Sequence, residues 1–434
     1  MNELENGEKQ DMRVAIAHDY LMQAGGAERV IEAMHDLWND APVYTSVYDP
    51  ESTLSCFADM DVRTSFLQKW QWARKSKTHK YALPFFPMAF EHLDMRGFDV
   101  VVSNTTSFAK GIITEPECCH ICYCHTPSRF AWRYHEYIAQ GNYSRMQRRI
   151  LPLIVHYLRT WDLGAASRVD YFLANSYNIA RRIKKYYKRD ADVLYPPVEA
   201  KRFTVAEKPT ADYFLVVSRL QVYKRVDLAV QACTKLGVPL KVAGGGPELE
   251  RLRAMAGPTV EILGRVPDGQ IEGLFANCKA FLFPGEEDFG IAPLEAMASG
   301  RPVIAYRAGG AMETVVDSET GLFFDEQNVD SLIDAMQRLD QMTIDPQTIR
   351  CHAERYDVSA FQARLSYLVK KYHRQHHQRL DALRFEFAPD ATVVPEYENG
   401  VGALYTNGNG SGHHRDVTTP AKLRAHDPDE TLPR

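Results

Sequence analysis

Short apolar runs punctuate the chain from residue 14 onward: residues 14–17, 100–102, 121–124, 171–174 and 193–195, rich in valine, isoleucine and aromatics. Helical spacings lie between them. The stretch from Ala27, for example, carries Val30, Ile31 and Met34 on one helical face after a loop over residues 18–26. Short buried strands alternating with helices predict a parallel sheet. The pattern pauses at Pro196 and Pro197, and the polar stretch to Asp212 reads as a linker. It resumes at residues 214–217, 240–243, 260–263, 280–283 and 302–305, each run followed by a turn and a helical stretch. A long helix is expected over 359–383, and from Glu386 the chain turns to Gly, Pro, Asn and His with few apolar anchors. The predicted organisation is a flexible start (1–11), an N-terminal Rossmann-like domain (12–198), a linker (199–212), a second such domain (213–358), a C-terminal helix (359–383) and a disordered tail (384–434). This is an α/β fold of two doubly wound parallel sheets. Ligands are expected in the cleft outside the carboxyl ends of the strands.

Composition narrows the function classes. The 434 residues are 45% hydrophobic and 25% charged, as in a globular protein. The net charge of −5 leaves no bulk basicity for nucleic acid, so an anion site must be a local cluster. No apolar run reaches the roughly 18 residues of a membrane span. The polar, acidic start MNELENGEKQDM does not read as a secretory signal. The expected compartment is therefore cytoplasmic, with the eight cysteines reduced.

The richest segment is PGEEDFGIAPLEAMA, residues 284–298. Glu287 falls in the loop after a predicted strand, and Glu295 about one turn into the next helix. Amides around Phe289, Gly290 and Ile291 would face the cleft and favour an anion. Glu295 suits a ribose diol and Glu287 sugar hydroxyls; the plain alternative is two solvated or capping carboxylates. In VSRLQVYKRVD, Arg219 and Lys224 lie just past another strand and can converge on one diphosphate. Cations there would stabilise charge growing on a departing nucleoside diphosphate; otherwise they are surface residues. Gly25–Gly26 and Gly244–Gly246 are strand-to-helix loops that suit phosphates or simply tight turns. The full G-x-G-x-x-G is absent, which argues against a dinucleotide enzyme. His125 ends a strand at the same edge. The C-x-x-C of Cys119 and Cys122 lies in a strand-like run with no second pair, so no metal site is expected. Between Val62 and Phe90 there is no acidic residue; Arg63, Lys69 and Arg74 interleave with Phe66, Trp70, Trp72 and Phe85. That pattern suits an anionic membrane surface, or a solvated face over core aromatics. A second basic run containing Arg181, Arg182 and Lys184 reads as a solvated helix face.

Together, AGGAER, CHTPSRFAW, YPPV, SRL…YKR, GGGPE, LGRV and PGEEDFG…LEAMASGRPV stand in an order that resembles the retaining GT-B glycosyltransferases of the family-four type over residues 12–383. The nearest likeness is to bacterial enzymes that use GDP-mannose in surface-polysaccharide assembly. The resemblance implies that Arg219 and Lys224 hold the donor diphosphate, Glu295 the ribose, and Glu287 with Phe289, Gly290 and Ile291 the sugar. Gly25, Gly26 and Gly244 would lie near the phosphates, Arg265 and Val266 near the base, and His125 would face the sugar. It implies no cofactor and no metal, a nucleotide-sugar donor, a lipid-linked or other glycan acceptor, and peripheral contact with the inner membrane. UDP-glucose or UDP-N-acetylglucosamine is the alternative donor, and a non-catalytic sugar-nucleotide binder the alternative class. Phe108 stands where relatives often show histidine.

Overall fold

A computed structural model describes residues 12–74, 79–134, 144–206 and 212–387. Its first sheet has seven strands: β1 (Val14–His18), β2 (Val43–Thr45), β3 (Val62–Thr64), β4 (Val100–Thr105), β5 (Cys119–Cys124), β6 (Tyr171–Ala174) and β7 (Ala191–Val193). Their order is β3-β2-β1-β4-β5-β6-β7, and every pairing is parallel. The second sheet has six: β8 (Phe214–Val217), β9 (Leu240–Ala243), β10 (Val260–Gly264), β11 (Ala280–Phe283), β12 (Val303–Tyr306) and β13 (Gly321–Phe324). It runs β10-β9-β8-β11-β12-β13, again all parallel. In both, the order reverses beside the first strand, which opens a crevice at the carboxyl ends of β1 and β4 and of β8 and β11.

Central strands are buried on both faces because helices cover both. Val14 and Ile16 of β1, with Ile121 and Tyr123 of β5, share a core with Val30 and Ile31 of the helix Gly26–His35. The same core takes Phe361, Leu365, Leu368, Val369 and Tyr372 from the helix Val358–Phe387, so this last long helix packs on the first sheet. The chain crosses between the sheets at a bridge pairing Val198 with Asp357. Residues 12–382 fall within a single compact unit.

Three strands escape the sequence pattern. β2 and β3 have three residues each, with β3 at the sheet edge, and β13 opens on glycine. The expected strand at 193–195 runs instead over Ala191–Val193, ending before Pro196 and Pro197, which have no N–H to continue the ladder. Asp192 correspondingly lies inside β7, and its carboxylate accepts the Tyr372 hydroxyl. Cys119 and Cys122 point to opposite faces of β5, one with the core under the last helix and one with Phe172 and Ile179. The first 11 residues, most of the 199–212 linker's polar middle and the tail beyond Phe387 lie outside the described residues, as do the side chains of Lys75, Lys77 and Lys80.

Candidate functional site

The carboxyl edges of the two sheets face one another. Gly25 caps the helix Gly26–His35 with extended backbone and no side chain to satisfy the first amides. A Cβ on Gly26 would come within 2.7 Å of Ile291 Cδ1, so the first glycine loop meets the start of the helix Ile291–Ala298 across the cleft. Gly290 precedes that helix at φ +92, where a Cβ would strike the Phe283 ring. The Glu287 carbonyl accepts the Gly310 amide at 2.8 Å, which fixes the acidic loop after β11.

On the same edge, Lys224 Nζ contacts Glu287 Oε1. Gly285 lies under the Lys224 backbone, where a Cβ would be 2.8 Å from Lys224 Cα. Arg219 is exposed, and its charge reaches Tyr20 from the first domain. The Tyr20 phenol is pushed up to about 12 by burial and by Asp19 and Glu28, with Arg219 opposing. Gly244 adopts φ +139, and a Cβ there would be 1.8 Å from the Ser218 carbonyl oxygen. Arg265 lies over Gly245, and Val266 follows it in the turn after β10. Glu295 lines a hollow with Arg29, Glu199, Arg202 and Val358, beside the crossing between the sheets. The Phe289 ring is core, stacked on Tyr195 at 5.5 Å, which leaves only its backbone for the cleft.

His125 Nε2 donates to Asn104 Oδ1 at 2.6 Å, given the neutral ring. Burial and the neighbouring His18 hold its imidazole down at about 4. Beside it is a network that spacing did not reveal. Burial pushes the His18 imidazole down, but Glu28 and Asp19 outweigh this and raise it. His18 Nε2 lies 3.6 Å from Glu28 Oε1. Asp19 accepts from the amides of Thr106, Ser107, Phe108 and Ala109 at 2.6–2.9 Å and from the hydroxyls of Thr105 and Thr106. Burial raises the Asp19 carboxyl, yet His18 and these hydrogen bonds hold it below its ordinary value. Phe108 is packed between Phe86 and Phe130, so the position that varies from the family pattern is core here.

Asp288 also escaped notice. Its carboxylate takes Arg129 Nη2 and Arg182 Nη1, each at 2.5 Å, and both arginines belong to the first domain. Burial raises Asp288; the two guanidinium charges outweigh it and lower the carboxyl. Ser176 Oγ donates to the Asp288 carbonyl at 2.8 Å, and Glu313 accepts the Tyr177 and Asn178 amides at 2.7 and 2.9 Å. Arg129 also lies over the Tyr223 ring at 5.3 Å. Arg182 is therefore not part of a solvated face, as its basic neighbours suggested. The signal available in sequence was only an acid beside Glu287 with no assigned work.

Residues 197–355 match the family described as glycosyl transferases group 1. The GDP-mannose-dependent alpha-(1-6)-phosphatidylinositol monomannoside mannosyltransferase of Mycobacterium tuberculosis is 36% identical over 157 residues, 32% of this chain and 40% of that protein. The chain thus spans about two fifths of the length of this relative. Human alpha-1,3/1,6-mannosyltransferase ALG2 is 27% identical over 345 residues, covering 68% of this chain and 80% of that one. Among solved structures, sucrose-phosphate synthase from Thermosynechococcus elongatus aligns at TM-score 0.65 and 16% identity over 83% of this chain and 98% of that chain. Anabaena HepE in complex with UDP aligns at 0.60 and 15%, over 83% and 100%. These structural likenesses concern the fold, two Rossmann-like domains of GT-B architecture.

Proposed function

Because the chain belongs to the group 1 glycosyltransferases, we propose that it moves a hexose from a nucleotide sugar to a glycan acceptor with retention, with GDP-mannose as donor. The observation that carries this reading is the Lys224–Glu287 contact at the carboxyl ends of β8 and β11, opposite Gly25 and Gly26. In the free protein Lys224 and Glu287 neutralise each other. A bound donor would divide them: the ammonium to the diphosphate with Arg219, the carboxylate to sugar hydroxyls. Positive charge at the diphosphate stabilises the transition state more than the bound donor, since the departing oxygen gains charge as the glycosidic bond breaks. The neutral His125, oriented by Asn104, faces the sugar as a hydrogen-bond partner. Glu295 serves the ribose and Arg265 with Val266 the base. The Mycobacterium relative's mannosyl donor supports the mannose assignment.

A lipid-linked acceptor is supported by a surface of the first domain. On the helix Arg145–Arg168, Met146, Ile150, Leu153 and Tyr157 are exposed at spacings of four, three and four, on one face. Arg145, Arg148 and Arg149 border them and are exposed as well. Trp72, Tyr81, Phe85 and Met88 expose further apolar area. Apolar side chains bordered by arginine suit the headgroup boundary of an anionic bilayer. No helix among the described residues is long and apolar enough to cross a membrane.

A thermal-shift titration with GDP-mannose, GDP, UDP-glucose, UDP and NAD tests the donor, since a ligand of the folded state stabilises it by mass action. A shift with the guanosine ligands alone is expected. A shift with uridine nucleotides alone would overturn the donor, and donor binding without transfer to any lipid-linked acceptor would overturn catalysis. Flotation with anionic vesicles tests the surface; equal recovery with Leu153→Ser and Met146→Ser would refute its role.

A further inference from the structure

The amino ends of the first sheet, opposite the cleft, hold a cluster that the transfer reaction does not use. Cys119 is the first residue of β5, Asp170 directly precedes β6, and His376 comes from the last long helix. We propose that Cys119 Sγ, the Asp170 carboxylate and His376 Nδ1 form a zinc site that clamps this helix to the sheet.

The three ligand atoms lie within 4.8 Å of one another. Cys119 and His376 are buried and Asp170 is partly exposed. His376 Nε2 is 2.8 Å from the Pro116 carbonyl oxygen, which only accepts, so Nε2 carries the hydrogen. The neutral ring then presents the Nδ1 lone pair to Asp170 Oδ1, 3.7 Å away. Asp170 is itself oriented, because its Oδ2 accepts the His120 amide at 2.8 Å. Each of these two ligands therefore has a second hydrogen bond aiming its free lone pair at the same point, the arrangement seen around metal-ligating imidazoles and carboxylates.

Two electron-pair donors facing each other need a proton or a cation between them. A proton makes an ordinary ion pair of His376 and Asp170 and leaves Cys119 a bystander. A metal uses all three groups. Thiolate, imidazole and carboxylate suit zinc, whereas magnesium and calcium prefer oxygen alone. On binding, the Cys119 S–H proton leaves to solvent and a Zn–S bond replaces it. Two negative ligands then balance the dication, and the partly exposed Asp170 side is open to a water as fourth ligand. Zinc bonds of about 2.0–2.3 Å put tetrahedral ligand atoms roughly 3.2–3.6 Å apart, so the cluster contracts by about 1 Å on loading. The site lies at the strand ends remote from Lys224 and Glu287, so its role is structural. It is a different set from the C-x-x-C, whose second cysteine points to the other face.

The test uses the full untagged chain, stripped with chelator and loaded with Zn(II) or Co(II). Expected are one bound metal per chain by elemental analysis, a near-ultraviolet thiolate-to-cobalt band, and a zinc-dependent rise in melting temperature. Cys119→Ser should abolish the cobalt band, and His376→Gln and Asp170→Asn should each weaken binding at least tenfold with donor binding unchanged. Asp170→Asn, at the partly exposed ligand, serves if the buried variants misfold. His373 and His377, whose Nε2 atoms lie 3.0 Å apart one turn away, provide the control. Absence of the thiolate band in the folded wild type, or zinc binding lost in His373→Ala with His377→Ala but kept in Cys119→Ser, would overturn the proposal.

Discussion

Replacing Asp288 with alanine would remove the carboxylate that accepts from both Arg129 and Arg182 across the two domains. The Arg182 pair is the costly one: its side chain is 16% exposed and that of Asp288 10%. The Arg129 side chain is 39% exposed, so solvent relieves much of its loss. Leaving one buried guanidinium without its carboxylate costs about 3–5 kcal/mol; about 3 kcal/mol is expected here, since Glu286 at 3.5 Å retains part of the charge balance around Arg182. All five tryptophans (38, 70, 72, 132 and 161) precede the second sheet. Their fluorescence therefore reports the first domain, while circular dichroism reports both. In urea the wild-type transitions should coincide, and in Asp288→Ala they should separate because the domains lose their charged contact. The pH dependence carries a sign. The Asp288 carboxyl is lowered in the fold, so its contribution is complete above the unfolded value of about 3.9 and disappears as pH falls through the folded value. The stability difference should be flat from pH 8 to 5 and vanish only in acid. A difference below about 0.5 kcal/mol at neutral pH, or one that persists after Asp288 is protonated, would refute the reasoning.

Lys224→Ala and Glu287→Ala should each lower turnover by about 10²–10³-fold in protein that still unfolds cooperatively in urea; steady-state rates with GDP-mannose check this. Gly244→Ala should lower the melting temperature markedly or prevent soluble expression, because its Cβ would overlap the Ser218 carbonyl; calorimetry reads the outcome. With the His125 ring held at about 4, it stays uncharged from pH 5 to 9, so His125 should add no inflection to the rate profile in that window. An acid limb near pH 6.5 that disappears in His125→Gln would contradict that assignment.

Much of the architecture was legible because most central parallel strands carry a compact apolar run bounded by turns. The three-residue strands β2 and β3 carry too little pattern to stand out. Residues at the ends of β1, β8 and β11 could be singled out because, in a parallel sheet, whatever follows a strand comes to one edge. Partner choice was not legible. Nothing in PGEEDFG announces that Asp288 is held by arginines 106 and 159 residues away. Nor does the local sequence show that Asp19 ends in a ring of amides from the loop after β4. Such contacts depend on how loops from distant strands meet, which spacing does not encode.

The first core is closed by Phe361, Leu365, Leu368 and Val369, on the last described helix. During synthesis, the face of the sheet that carries Ile16 and Ile121 must therefore wait until nearly the whole second domain has left the ribosome. A nascent chain ending before Val358 would present that face uncovered, as a surface for chaperones or for its neighbours on the same message. The C-terminal domain, whose strands are contiguous in sequence, has no such delay. The domain made first is thus the one finished last.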